Sequence, residues 1–243
     1  MYKTETVKPY DASDKRQQVE RMFNRIAHSY DMLNHSLSLG IDRRWRRKAI
    51  DALGKYAPQI VLDIATGTGD LAIMNAQRNH PRRIVGADIS EGMMEVARKK
   101  VAKAGLADVV TFQKEDCTKM SFPDNYFDAV TSSYGVRNFS DLDAGLQEMY
   151  RVLRPDGHLL IVELSMPIRF PMKQLFAIYA HVVMPVLGRL ISHDDSAYTY
   201  LPTSMEAFPQ AEEMEQLLRK NGFSEVRWER FCGGISTMYL AKK

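Results

Sequence analysis

The amino-acid sequence predicts an α/β protein built on an open, mostly parallel sheet. Three observations carry that reading. The apolar run Ile60 to Ile64 is long enough for a buried strand and too short for a helix; glycines at 67 and 69 break it, and Leu71, Ala72, Ile73 and Met74 resume at helical spacing. Further apolar runs at 84–88, 109–112, 127–133 and 158–164 alternate with segments of helical length. The chain then closes with runs at 226–231 and 235–241, joined through Cys232-Gly233-Gly234, which read as a hairpin. The expected order is five β/α units followed by an antiparallel pair.

The remaining elements follow from periodicity and caps. Residues 1–13 carry no pattern and read as loose. From Asp14 to about Ser29 a helix is expected, with Val19, Met22, Phe23, Ile26 and Tyr30 on one face. The plainer reading packs that stripe on the core, and the sharper one makes the segment a lid with Tyr30 facing a ligand. Arg43-Arg44-Trp45-Arg46-Arg47-Lys48 lies in a helix whose apolar side is Ile41, Trp45, Ala49, Ala52 and Leu53. A solvated basic face is the ordinary meaning. Attraction to anionic lipid is the alternative, each basic residue near such a surface adding about 1 kcal/mol. Ser90 caps a helix to about Ala104, and Asp141 opens one to about Leu153, followed by a turn at Arg154-Pro155-Asp156-Gly157. Residues 167–191 read as a helix that is apolar on too many sides for a plain surface element, interrupted at Pro185. It is either buried, in the core or between two subunits of a homodimer, or the wall for a lipid-like ligand and a membrane contact. Residues 192–201 read as a polar loop, and a helix from Gln210 to Asn221 ends at Gly222.

Composition sets broad bounds. With 243 residues, 45% hydrophobic and 26% charged, the chain is of ordinary globular make-up, one large domain or two small ones. A net charge of +3 gives no argument for nucleic acid. Cys117 and Cys232 have no metal-type spacing and do not suggest a disulfide framework, so no metal and a reducing cytoplasm are expected. Met1-Tyr2-Lys3-Thr4-Glu5 lacks the apolar core of a signal peptide, and no stretch reaches the roughly 20 apolar residues a bilayer span needs.

The ligand is read from the first strand end. Gly67-x-Gly69-x-x-Ala72 fits a dinucleotide fingerprint, yet any tight strand-to-helix turn wants glycine. Asp63, four residues before Gly67, is expected to face the crevice, where a carboxylate repels a pyrophosphate and suits a cation. Asp88, 21 residues after Gly67, is placed to bind both hydroxyls of a ribose. The ligand so described has a ribose, a positive charge and no need for phosphate, and S-adenosylmethionine fits it. Asp116 and Cys117 fall at the next strand end, where Asp116 could hold an adenine amino group and a backbone N–H a ring nitrogen. Ser133, Tyr134, Arg137 and Asn138 fall at the fourth, in the zone where open parallel sheets bind ligands.

These motifs together resemble the ubiquinone/menaquinone-biosynthesis C-methyltransferases, over nearly the full chain. The resemblance rests on Met22-Phe23-Asn24-Arg25-Ile26-Ala27-x-x-Tyr30-Asp31 with Asn34, Ser38, Gly40 and Trp45-Arg46. It rests also on Leu62-Asp63-x-Ala65-x-Gly67-Thr68-Gly69-Asp70 and Asp88-x-Ser90-x-x-Met93. Most specific are Tyr134-Gly135-Val136-Arg137-Asn138 and Arg151-Val152-Leu153-Arg154-Pro155-x-Gly157. Tyr198-x-Tyr200-Leu201-x-x-Ser204, Phe208-Pro209, Gly222-Phe223 and Gly233-Gly234-Ile235 add to it. The resemblance implies a class I S-adenosylmethionine-dependent methyltransferase, a Rossmann-like seven-stranded sheet with its last strand antiparallel. It divides the chain into an N-terminal helical lid or substrate segment, 1–55, and a methyltransferase domain, 56–243. By family pattern Thr68, Asp88, the Asp116-Cys117 pair and Ser133 contact S-adenosylmethionine; Cys117 stands where the family often has Ala.

The reaction so implied moves the sulfonium methyl onto a ring carbon of demethylmenaquinol. A benzoquinol of ubiquinone biosynthesis, or a soluble small molecule, is the alternative acceptor. Ionising a phenol of pKa near 10 at pH 7 costs about 4 kcal/mol, which a cation or base beside the oxygen must supply. Arg137 is the candidate for the developing oxyanion and Asn138 for the ring oxygen, with Tyr134 and Tyr30 lining the ring. The base is left among His28, Asp31, His193 and a water. An isoprenoid tail would run along the 170–191 helix, placing the enzyme in the cytoplasm at the inner face of the membrane.

Overall fold

The computed structural model describes residues 2–10, 14–183 and 195–243. Seven strands form one sheet: β1 (Ile60–Ile64), β2 (Arg83–Asp88), β3 (Val110–Lys114), β4 (Phe127–Ser133), β5 (Leu153–Leu164), β6 (Ser224–Phe231) and β7 (Ser236–Lys242). Their order is β3-β2-β1-β4-β5-β7-β6. Neighbours from β3 to β5 pair in parallel, and β7 runs antiparallel to both β5 and β6. The order reverses between β1 and β4, which opens a crevice above their C-terminal ends.

The helices are α1 (Lys3–Thr6), α2 (Lys15–Ile26), α3 (Tyr30–Leu37), α4 (Asp42–Gly54), α5 (Asp70–Asn79), α6 (Glu91–Lys103), α7 (Leu142–Val152), α8 (Met172–Ile178), α9 (Asp195–Ala207) and α10 (Glu212–Lys220). The sheet is covered on both faces, which is why its strands read as unbroken apolar runs. In β1, Val61 joins the cluster made with α4 and α5, while Leu62 and Ile64 join the one made with α7 and α10. Alternation therefore places Asp63 on the α4/α5 side. Ser90 accepts a hydrogen bond from the Met93 N–H at 3.3 Å and Asp141 from Ala144 at 2.9 Å, so both helix starts are capped.

Several expectations are corrected. The first residues are not loose: α1 packs with Thr4 at 0% exposure. The turn at 154–157 lies inside β5, where Phe127 pairs with Leu153 and Ala129 with His158, so the intervening residues bulge out of the ladder with β4. The stretch 195–207, expected as loop in its first part, is helix, with Pro202 inside it. Of the long apolar helix expected at 167–191, α8 and one π-turn, Tyr179–Val183, are described; the interruption at Pro185 lies outside the described residues. No described helix is long and apolar enough to cross a membrane.

Candidate active site

The crevice is shaped first by the turn after β1. Gly67 and Gly69 have φ of +55° and +79°, a left-handed conformation that a side chain would strain. The Gly67 N–H donates to Asp88 Oδ2 and the Ser90 N–H to Asp88 Oδ1, both at 2.8 Å. Asp88, at the end of β2, thus holds the turn while still lining the cavity above it. Burial raises its pKa above the ordinary carboxylate value, against the pull of these N–H donors.

At the end of β4 the chain makes a second strained turn. Tyr134 has φ of +62°, uncommon for a bulky residue and costing on the order of 1–3 kcal/mol. Its N–H donates to Val162 O at 2.8 Å, which fixes the turn to β5. The short 3₁₀ turn Val136–Asn138 follows. Arg137 is buried, with its guanidinium 2.8 Å from Glu163 Oε1 and donating also to the Tyr134 carbonyl. The fully buried Glu163 carboxylate accepts twice more, from the Arg137 N–H at 3.2 Å and from the Leu164 N–H at 2.8 Å.

Two cavities meet here. One is lined by Gly67, Asp88, Asp116, Cys117 and Ser133, with Arg16, Val19 and Phe23 of α2 across it. The second, about 350 Å³, is walled by apolar side chains of α2, α3, α4, α8 and α9, among them Met22, Ile26, Trp45, Phe176 and Met205. Phe23, Tyr30, Tyr134 and Asn138 line both. Phe23 and Tyr30 meet edge to face, with centroids 5.9 Å apart. The polar groups on the apolar cavity's wall are Arg137, Asn138, Arg46, Asp42, Asn34, Ser38 and the hydroxyls of Tyr30, Tyr134, Tyr179 and Tyr200. Four buried atoms on this wall, Arg137 Nε, Asn138 Oδ1 and the Tyr134 and Tyr200 hydroxyls, have no hydrogen-bond partner among the described residues.

The structure separates the residues singled out from sequence. Asp88, Asp116, Cys117, Ser133 and Gly67 share one cavity; Tyr134, Asn138 and Arg137 border the other. Asp63 does not face the crevice. It is 1% exposed, and its carboxylate accepts from Thr66 Oγ1 and Thr131 Oγ1, both at 2.6 Å. The strand alternation that turns it toward α4 is the reason. Thr68 and Gly69 line neither cavity. Thr68 Oγ1 donates to Asp31 Oδ1 at 2.5 Å, and Gly69 packs against Ala97 and Phe112. Among the candidate bases, His28 is exposed, Asp31 is taken up by Thr68 and by Lys100 at 2.6 Å, and His193 lies outside the described residues.

Residues missed from sequence complete the wall. Arg46 belongs to the basic run read as a solvated face, yet it is 4% exposed. It pairs with Asp42, donates to Ser133 Oγ at 3.3 Å and lies 4.8 Å from the Tyr134 ring centre. Its position beside Trp45 and three residues before Ala49, on the apolar side of α4, was the available signal. Glu163 and Tyr200 carried no signal beyond their place at a strand end and in a motif. Helix α2 packs on the core through Val19, Met22 and Ile26 and also lines the crevice, through Arg16, Val19 and Phe23.

Asp63 yields a test of its buried state. Burial pushes its pKa up to about 6, with Thr131 and Thr66 holding it down only in part. The folded chain then takes up a proton between about pH 4 and 6 that the unfolded chain does not, so this group adds stability as pH falls. Relative to Asp63→Asn, the wild type should gain about 1 kcal/mol between pH 7 and pH 5. Urea unfolding of both proteins at the two pH values measures it; a constant difference would mean that Asp63 titrates normally.

Comparison with known proteins agrees with this architecture. The chain is 55% identical over 243 residues, covering 100% of it and 99% of the relative, to a demethylmenaquinone methyltransferase of Bacteroides fragilis. It is 46% identical, over 100% of both chains, to a demethylmenaquinone methyltransferase of Porphyromonas gingivalis. In fold it is similar to a solved S-adenosylmethionine-dependent methyltransferase, a possible histamine N-methyltransferase, of Thermotoga maritima. That similarity has a TM-score of 0.64 and 19% identity, over 92% of this chain and 99% of that one. The ubiE/COQ5 methyltransferase family profile matches residues 11–243, and the chain belongs to that family.

Proposed function

We propose that this enzyme methylates a ring carbon of demethylmenaquinol, giving menaquinol, with S-adenosylmethionine as donor. The observation that carries the reading is the meeting of the two cavities at Phe23, Tyr30, Tyr134 and Asn138, with orphaned polar atoms on an otherwise apolar wall. The first cavity fits the donor: the space beside Gly67 is open to at least 4 Å, and Asp88 keeps lone pairs for ribose hydroxyls beyond those used by two N–H groups. Asp116 and the neutral Cys117 thiol, whose pKa burial raises, suit the edge of an adenine. When bound, the donor supplies an electrophilic methyl on a sulfonium sulfur.

The second cavity fits a ring with an apolar tail. Asn138 Oδ1 is free to accept the quinol O–H, and the Tyr200 hydroxyl and Arg137 are placed to donate to the oxygen as it gains charge. Arg46, paired with Asp42, packs over the Tyr134 ring and holds it in place. Asp42 is too weak a base to take the phenol proton, and the ring carbon, once methylated, gives up its own hydrogen as a proton, which restores the aromatic ring. Burial works to raise the Asp42 pKa, but Arg46, Ser38 and His35 together bring it below the ordinary carboxylate value. Helices α2 and α3 act as the lid that keeps bulk water from the methyl.

Leu39 and Leu175 line the cavity and yet are 86% and 58% exposed, which marks its mouth. Ile168, Phe170, Ile178 and Val182 extend that exposed apolar surface, with Arg169 and Lys173 among them. We assign this surface to an anionic bilayer, from which the tail enters. The test is incubation with methyl-labelled S-adenosylmethionine and reduced demethylmenaquinone in detergent. Label in menaquinone is the expected result. Label absent there but present in a benzoquinol supplied in parallel would overturn the substrate assignment.

A further inference from the structure

We infer that the N-terminal segment positions Arg137: Thr4, held in place by Lys15, fixes the Arg137 carbonyl and so links the seating of α2 to the aim of the guanidinium. This goes deeper into the proposed function and rests on the role given there to Arg137. Arg137 sits in the middle of a three-residue 3₁₀ turn, an element too short to hold its own geometry. The Glu163 carboxylate grips its N–H and its guanidinium. The carbonyl faces the other way, and there Thr4 Oγ1 donates to it at 2.7 Å.

Thr4 is in turn fixed by Lys15. The Lys15 ammonium donates to Thr4 O at 2.5 Å and reaches Arg137 O at 3.5 Å. Both side chains are almost wholly buried, Thr4 at 0% and Lys15 at 3%. A lysine is seldom buried without a strong reason, since the ammonium must give up its hydration. Burial, with Arg137 adding to it and Glu5 opposing, brings its pKa to about 8, so at pH 7 it is still a cation donating to two carbonyls. Glu5 completes the anchor, accepting from the Leu142 N–H at 3.1 Å, so α1 is moored to the start of α7 as well.

The consequence is geometric. Lys15 is the first residue of α2, and the next turns of α2 carry Arg16, Val19 and Phe23 over the crevice. With α2 seated, the carbonyl is held and the guanidinium is aimed at the apolar cavity. With α2 lifted, Lys15 lets go of the Thr4 and Arg137 carbonyls, and Thr4 alone, less firmly placed, is left to hold the turn. Arg137 would then be in register only when the crevice is covered, which confines the chemistry to the closed enzyme.

Thr4→Val removes the donor at nearly constant shape, Thr4→Ser keeps it, and Lys15→Met removes the ammonium. Thr4→Val and Lys15→Met are expected to lower kcat about tenfold or more, as the loss of one buried hydrogen bond at a positioned group implies, with S-adenosylmethionine affinity within about twofold. Thr4→Ser should stay within about twofold of wild type in kcat, since its donor remains. Amide hydrogen exchange over 136–139, read without substrate, should rise in Thr4→Val and Lys15→Met only. Unchanged exchange would overturn the inference. Faster exchange with unchanged kcat would leave the clamp in place and show instead that Arg137 does not take part in the reaction. Failure of Thr4→Ser to restore kcat would also overturn it.

Discussion

Replacing Arg137 and Glu163 together, by Met and Gln, is expected to lower kcat by about 10²–10³-fold while S-adenosylmethionine still binds, the usual cost of removing one group that stabilises a developing oxyanion. The double substitution matters. Arg137 and Glu163 form a buried pair, with side chains 7% and 1% exposed. Removing Arg137 alone would leave Glu163 as an uncompensated buried charge, at a cost of about 3–5 kcal/mol in stability, and a loss of activity would then mix misfolding with chemistry. A neutral pair of similar volume avoids that penalty, and the amide oxygen that Glu163→Gln leaves in place can still accept one of the N–H bonds now made by Arg137 and Leu164. Steady-state kinetics with reduced demethylmenaquinone, beside calorimetric titration of S-adenosylmethionine, gives both quantities. Near-normal kcat in a folded double variant would remove Arg137 from the mechanism and shift attention to Arg46, the second guanidinium on the cavity wall.

The contrast between Arg137 and Arg46 shows what sequence could and could not disclose. Arg137 follows a strand end, and strand ends are visible as the close of an apolar run; everything placed there was legible as near the crevice. The same holds for Asp88, Asp116 and Ser133. Arg46 lies in a run of basic residues, and only the helical phase of that run separates it from Arg43, Arg44 and Arg47, which are exposed. Asp63 is the opposite case. It too closes a strand, but a residue's distance along a strand does not tell which face it takes, and the sheet here is buried on both. The order of elements and the antiparallel closing pair were legible because they follow from the β/α alternation and the final hairpin; the spatial order of the strands comes from the structure. The packing of α1 was not. Its burial depends on Thr4 and Glu5 reaching the 137–142 segment, a contact across more than a hundred residues that no local pattern announces.

Asp88→Asn is expected to weaken S-adenosylmethionine binding by about 10²-fold, since a carboxylate's hydrogen bonds are each worth about 1.5–3 kcal/mol and the amide keeps only one acceptor oxygen. In the wild type, both oxygens are already engaged by the Gly67 and Ser90 N–H groups at 2.8 Å, each keeps a further lone pair, and the residue lines the cavity. In the variant, one of those N–H groups faces an NH₂ instead, so the glycine turn loosens as the ribose contact is lost. The pH dependence follows with a definite sign. Burial raises the Asp88 pKa, so on acidification the carboxylate protonates, and affinity begins to fall, at a higher pH than for an exposed aspartate. The variant has no such step. Calorimetric titration across the acid range separates the two effects. A wild-type affinity that stays flat while Asp88→Asn loses stability alone would make Asp88 a structural pin of the turn and leave the ribose to other groups.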